Sequence, residues 1–289
     1  MAILLKAQPL VDQRIPQIQA ECAQLINAGI TPKLVVVLVG ENPASLSYIS
    51  KKRQLCEKVG AQFELRQFPT SISAADFKKQ MDAINADRTI HGCIIQLPVY
   101  GESTKLPVEE LVSPHKDVDG FHPQNTAELY LGRIDKNALL PCTPRGVMSL
   151  IKHYGFEKKK KNVVILGRSQ IVGKPLSLLM TLAGATVTVC HSQTVDLIDH
   201  TRRADIVVAA VGKVNLLTAE HVDDKRQTVV IDVGMNKNEQ GKLVGDVDFN
   251  GVEAIVKAIT PVPGGVGPTT VLSLIENLLT AARNQKERP

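Results

Sequence analysis

Seven short runs of apolar and β-branched residues punctuate the chain: KLVVVLVG (33–40), QFELRQF (62–68), HGCIIQLPV (91–99), NVVILG (162–167), TVTVCH (186–191), DIVVAAVG (205–212) and QTVVIDVG (227–234). Several are apolar at successive positions, the pattern of parallel strands covered on both faces. Between them apolar residues recur at helical spacing, as in PASLSYISKKRQLCEKVG (43–60) and SAADFKKQMDAINAD (73–87). Strand and helix patterns in alternation predict an α/β protein.

The pattern divides near residue 140. Three strand–helix units come first, then a polar stretch rich in Pro, Asp and Asn (113–144), then four more strands. TTVLSLIENLLTAARNQ (269–285) reads as an amphipathic helix that crosses back to the first half, after the loop TPVPGGVGP (260–268). The expected domains are therefore 1–140 with 269–289, and 141–268. No internal repeat or low-complexity segment interrupts them.

Composition adds bounds. With 289 residues and 44% hydrophobic content the chain can bury a large core, and at 3% aromatic residues that core must be aliphatic. The formal charge of +5 is partly local, in EKKKKN (157–162), which reads as a solvated loop. A nucleic-acid surface would spread basic residues over a face with interleaved aromatics, so no nucleic-acid partner is expected. Five scattered cysteines without C-x-x-C spacing argue against a disulfide framework or a metal site and favour a reducing cytoplasm. The N-terminal apolar run is broken by Lys6, unlike a signal peptide, and no run is long enough to span a membrane.

Candidate chemistry begins at GRSQIVG (167–173), between a strand and a helix start. In a βα turn, phosphate sits on free N–H groups at the helix N-terminus. Gly167 can make the turn and Gly173 a close helix–strand contact, while Ser169 stands where a dinucleotide fingerprint has its second glycine. An ordinary βα turn would read similarly. The next strand sharpens the choice. NAD-binding folds place an acid there for the ribose 2′-hydroxyl, yet this strand ends in His191-Ser192. A guanidinium at Arg168, a hydroxyl at Ser192 and a missing carboxylate favour NADP over NAD.

In the first half, Asn42 and Pro43 suit a helix start. Tyr48 and Lys52 then share one face, either as a snorkelling pair or as a functional one. Gln96 lies near the C-terminal end of a buried strand, where open α/β sheets bind ligands. A loop backbone could equally be its partner. Asp117 and Asp119 occupy HKDVDGFHP (115–123), where Asp119-Gly120 is also a turn signal.

Taken together, NPAS…SYISKK, IIQLPV, KDVDGFHPQN, PCTPRGV, GRSQIVGKP, IDVGMN, GDVDF and TPVPGGVGPTT resemble, in order, the bifunctional methylenetetrahydrofolate dehydrogenase/methenyltetrahydrofolate cyclohydrolase family. The resemblance runs from about Gly40 to Asn284. It implies two α/β domains with a cleft between them, the C-terminal one a Rossmann-type parallel sheet. It also implies NADP-dependent oxidation of 5,10-methylenetetrahydrofolate and hydrolysis of the methenyl product to 10-formyltetrahydrofolate, within one-carbon metabolism and purine biosynthesis. A cytoplasmic homodimer is implied as well.

On the same resemblance, the catalytic residues are Lys52, Tyr48, Gln96 and Asp119. The folate substrate would also meet Leu97, Pro98, Pro263, Gly264 and Gly265. NADP would meet Gly167, Arg168, Ser169, Ser192 and Met235, and no metal is expected. A monofunctional dehydrogenase is the alternative, against which Lys52 and Gln96 argue. One departure is visible: Tyr100 stands where family members commonly carry a second proline, which bears on loop shape and folate-tail contacts.

Overall fold

The computed structural model describes residues 2–286. From the N-terminus run strand β1 (Ile3–Leu4), helix α1 (Gln8–Asn27), β2 (Lys33–Val39), α2 (Pro43–Val59), β3 (Gln62–Phe68), α3 (Ala74–Ala86) and β4 (Gly92–Ile95). A long irregular segment follows, holding α4 (Pro123–Tyr130), and leads into α5 (Cys142–His153). Next come β5 (Asn162–Leu166), α6 (Gly173–Leu182), β6 (Thr186–Cys190), α7 (Leu197–Arg202), β7 (Ile206–Ala209) and β8 (Val229–Asp232). A hairpin, β9 (Asn236–Lys237) with β10 (Leu243–Val244), precedes α8 (Phe249–Glu253), β11 (Ala258–Ile259) and α9 (Val266–Lys286).

Two compact units result. One comprises 13–142 with 271–289, of which the described part ends at 286. Its sheet is parallel, in the order β3-β2-β4. The central strand is apolar at each position after Lys33, and Leu34 to Val39 are buried. Val35, Val37 and Val39 pack on Phe77, Met81 and Ile84 of α3, a core that is aliphatic apart from Phe77 and its edge-on partner Phe68. The C-terminal helix belongs here through Leu278, whose Cδ1 would lie 2.8 Å from a Cβ on Gly92. Arg14 and Glu276 add a part-buried ion pair at 2.7 Å.

The other unit comprises 1–12 with 143–270. Its six-stranded parallel sheet has the order β1-β11-β8-β7-β5-β6. Four of these strands were legible as apolar runs. The outer pair, β1 and β11, is two residues long each and leaves no periodicity to read. Their pairing explains a difference from the expected boundaries. The first twelve residues group with the second half because Ile3 and Leu4 pair with Ala258 and Ile259. α9 also starts at Val266, three residues earlier than its apolar periodicity indicated.

Candidate active site

In the unit built on β2, helix α2 starts where its sequence dictates. Asn42 Oδ1 accepts from the N–H groups of Ala44 (2.9 Å) and Ser45 (3.1 Å), Pro43 opens the helix and Gly60 closes it in the left-handed region. The inward stripe is Ser45, Ile49, Lys52, Cys56 and Val59. A lysine therefore occupies a core position, and it is only 5% exposed.

Its ammonium nitrogen donates to Gln96 Oε1 at 2.9 Å and stands 4.7 Å from the centre of the Tyr48 ring. Gln96 follows β4, and its own amide nitrogen donates to Leu97 O at 2.9 Å, which fixes the oxygen toward the lysine. Leu97 and Pro98, joined by a cis peptide bond, are exposed beside it. Burial lowers the Lys52 pKa, and the nearby Asp119 charge opposes that. For Asp119, burial raises the pKa while Lys52 pulls it down.

Asp119 is half-buried and is set in place by its neighbours. Asp117 accepts from the N–H groups of Gly120 (3.0 Å) and His122 (2.7 Å) and from Asn125 Nδ2 (3.0 Å). It is thus the residue that folds the loop, while Asp119 takes none of these N–H groups. Gly120 has φ +79°, and a Cβ there would lie 2.5 Å from the Leu140–Pro141 backbone. The Cys142 thiol, which donates to Val118 O at 3.1 Å, also reaches the Asp119 carboxylate. Tyr100 meets α2: its hydroxyl oxygen accepts from Asn42 Nδ2 at 3.1 Å.

In the other unit, the phosphate-loop candidates gather at the C-terminal ends of β5 and β6. Gly167 has φ +114°, and a Cβ there would lie 2.3 Å from Ala210 O. A Cβ on Gly173 would lie 2.0 Å from Gly167 O. The two glycines thus hold the loop tightly between strand and helix. Ser169 Oγ accepts from the N–H groups of Val172 (3.2 Å) and Gly173 (3.4 Å), and a hydroxyl so engaged keeps its hydrogen to donate.

The exposed Arg168 reaches over β6, where its Nη2 donates to Gln193 Oε1 at 3.3 Å beside the exposed Ser192. Met235, 59% exposed, follows β8. Pro263 and Gly264 are exposed after β11, Gly265 is buried, and Gly264 O accepts the Ala7 N–H at 2.9 Å. A tight loop with a glycine at each end, a hydroxyl donor and a guanidinium beside an acid-free strand end fit a dinucleotide carrying a 2′-phosphate. Among the described residues, no group of three or more His, Cys, Asp or Glu could hold a metal ion, and no helix is long and apolar enough to cross a membrane.

A doubly wound nucleotide-binding unit joined to a second α/β unit with a buried lysine defines a dinucleotide-dependent enzyme class. Residues 141–286 match the tetrahydrofolate dehydrogenase/cyclohydrolase NAD(P)-binding domain, and residues 5–119 match the catalytic domain of the same name. The chain belongs to the tetrahydrofolate dehydrogenase/cyclohydrolase family. The bifunctional protein FolD of Methylibium petroleiphilum is 48% identical over 266 residues, 92% of either chain. The solved bifunctional enzyme FolD from Campylobacter jejuni is 40% identical, with a TM-score of 0.93 over 98% of this chain and 99% of the other. The Trypanosoma brucei enzyme, solved with NADP cofactor and an inhibitor, is 31% identical, with a TM-score of 0.92 over 100% and 99%.

Proposed function

We propose that this protein oxidises 5,10-methylenetetrahydrofolate with NADP and then hydrolyses the methenyl product to 10-formyltetrahydrofolate. The observation that carries the second activity is the buried Lys52 held by the neutral Gln96. Family membership and the shape of the Gly167 loop support the first.

NADP, when bound, supplies the hydride acceptor, so this chain's residues have to hold and orient two rings. Gly167 and Ser169 hold the pyrophosphate, Arg168 and Ser192 the 2′-phosphate, and Met235 an apolar ring face. Asp119 accepts paired N–H donors of the pterin. Tyr48 packs on the folate, beside Leu97 and Pro98, and Pro263, Gly264 and Gly265 line the substrate.

For hydrolysis, the neutral form of Lys52 takes a proton from water as the oxygen bonds to the methenyl carbon. It then gives a proton to the ring nitrogen as that carbon–nitrogen bond breaks. The carbinol O–H proton leaves to solvent, so one water is consumed and one proton released. Burial and a cationic substrate both lower the lysine pKa toward the range this needs. Gln96 orients the lysine without adding a charge that would hold it protonated.

A spectrophotometric assay that follows NADPH formation and decay of added methenyltetrahydrofolate tests the reading. Both signals are expected, and loss of the second alone would leave a monofunctional dehydrogenase. The protein is further proposed to be a cytoplasmic homodimer feeding purine biosynthesis, and light scattering on the purified chain tests the dimer.

A further inference from the structure

We propose that Asp246 is a positioning residue for the dehydrogenase: its carboxylate fixes the turn after β7 that walls the reactive half of the NADP site. This rests on the NADP reading above. The ends of β5, β6, β7 and β8 are level, with Leu166 paired to both Cys190 and Ala209, and Ala209 to Asp232. In the strand order β6 lies on one side of β5, and β7 and β8 on the other. The connection therefore reverses between β5 and β7, and ligands in open α/β sheets lie across that switch point. Arg168 and Ser192 mark the β6 side as the 2′-phosphate end. The reactive ring then lies toward β7 and β8, over the turn at 210–213 and near Met235.

Asp246 holds that turn. Its Oδ2 accepts from the N–H groups of Val211 (2.7 Å) and Gly212 (3.0 Å), and its Oδ1 from Lys213 N–H (2.9 Å) and Asn236 Nδ2 (2.8 Å). Four donors saturate the two oxygens. Three successive main-chain N–H groups aimed at one buried acceptor leave the turn a single shape. The turn begins at Ala210, whose carbonyl oxygen is the atom that a Cβ on Gly167 would meet, so it packs directly on the phosphate loop. The bond to Asn236 ties in the residue after Met235.

The acid is itself held. The Asp232 carboxylate accepts from the N–H groups of Gly234 (2.9 Å), Asp246 (2.9 Å) and Val247 (3.0 Å). Asp246 is fully buried, so it acts through the turn and not by contact. The segments IDVGMN and GDVDF are accounted for as the two halves of this clamp.

The variant Asp246→Asn puts an NH2 group against N–H donors and breaks the set. Steady-state kinetics with NADP are expected to show KM raised about tenfold and the dehydrogenase kcat lowered. Hydrolysis of methenyltetrahydrofolate, assayed without cofactor, is expected to stay within twofold. Unchanged NADP kinetics in the folded variant, or a parallel fall of both activities, would overturn the proposal. If Asp246→Asn does not yield folded protein, Asn236→Ala cuts one of the four bonds. It is expected to raise KM for NADP about threefold with hydrolysis unchanged, and no rise overturns the proposal. A wild-type protein that fails to reduce NADP at all would instead sink the underlying cofactor reading.

Discussion

Lys52 and Gln96, 44 residues apart in the chain, meet at 2.9 Å, a charged donor on a neutral acceptor inside the protein. A carboxylate at position 96 would stabilise the ammonium and a hydrocarbon would leave it unsatisfied. The amide does neither, and the lysine keeps a pKa below its usual value. On the proposed mechanism, that pairing gives Gln96 a part in setting the proton affinity of Lys52.

Replacing Gln96 with Glu tests this. An anion beside the Lys52 ammonium raises its pKa, so less neutral lysine is present near pH 7. Methenyltetrahydrofolate hydrolysis at neutral pH is expected to fall tenfold or more, with the acidic limb of the pH–rate profile shifted upward. An unshifted limb would mean that the profile does not report Lys52.

Stability should respond to Lys52 in the opposite sense from activity. The folded pKa is below the unfolded value of about 10.4. Between the two values the unfolded chain holds the extra proton, so stability rises with pH across that window. Lys52→Met removes the buried charge, and the variant is expected to gain on the order of 1 kcal/mol at pH 7. The gain shrinks toward pH 10. Urea unfolding at the two pH values measures it.

Arg168→Ala removes the guanidinium from the proposed 2′-phosphate end. A charged hydrogen bond is worth about 1.5–3 kcal/mol, reduced here by exposure, so KM for NADP is expected to rise about tenfold. KM for NAD is expected to change less than twofold. An equal rise for both cofactors would remove Arg168 from the 2′-phosphate site.

Gly120→Ala probes the loop that presents Asp119. The new methyl group meets the Leu140–Pro141 backbone at a left-handed φ. Strain and overpacking together cost about 2–4 kcal/mol. Chemical denaturation reads that loss, and both activities are expected to fall with it because Asp119 is the adjacent residue.

Sheet strands of both units were legible because β2, β4, β5, β7 and β8 are apolar at successive positions and β6 alternates threonine with valine, signals carried by each strand alone. β1 and β11 were not, since two-residue strands gain their meaning only by pairing across the fold. At the site, Tyr48 and Lys52 were visible as an i, i+4 pair. The stronger signal was the stripe Ser45–Ile49–Lys52–Cys56–Val59, in which a lysine interrupts an inward face.

Asp117 and Asp119 look alike in sequence. Their division into loop-former and half-buried acid depends on which carboxylate the N–H groups of Gly120 and His122 reach. The partnership of Asp246 with residues 211–213 spans more than thirty positions and has no local signature.

Lys52 is proposed to move the proton in hydrolysis. The direct measurement is the decay of methenyltetrahydrofolate with Lys52→Met, set beside wild type and buffer alone. The folded variant is expected to hydrolyse at the buffer rate while wild type is at least a hundredfold faster, the lower range for general acid–base catalysis being about 10²-fold. Hydrolysis by the variant at close to the wild-type rate would contradict it.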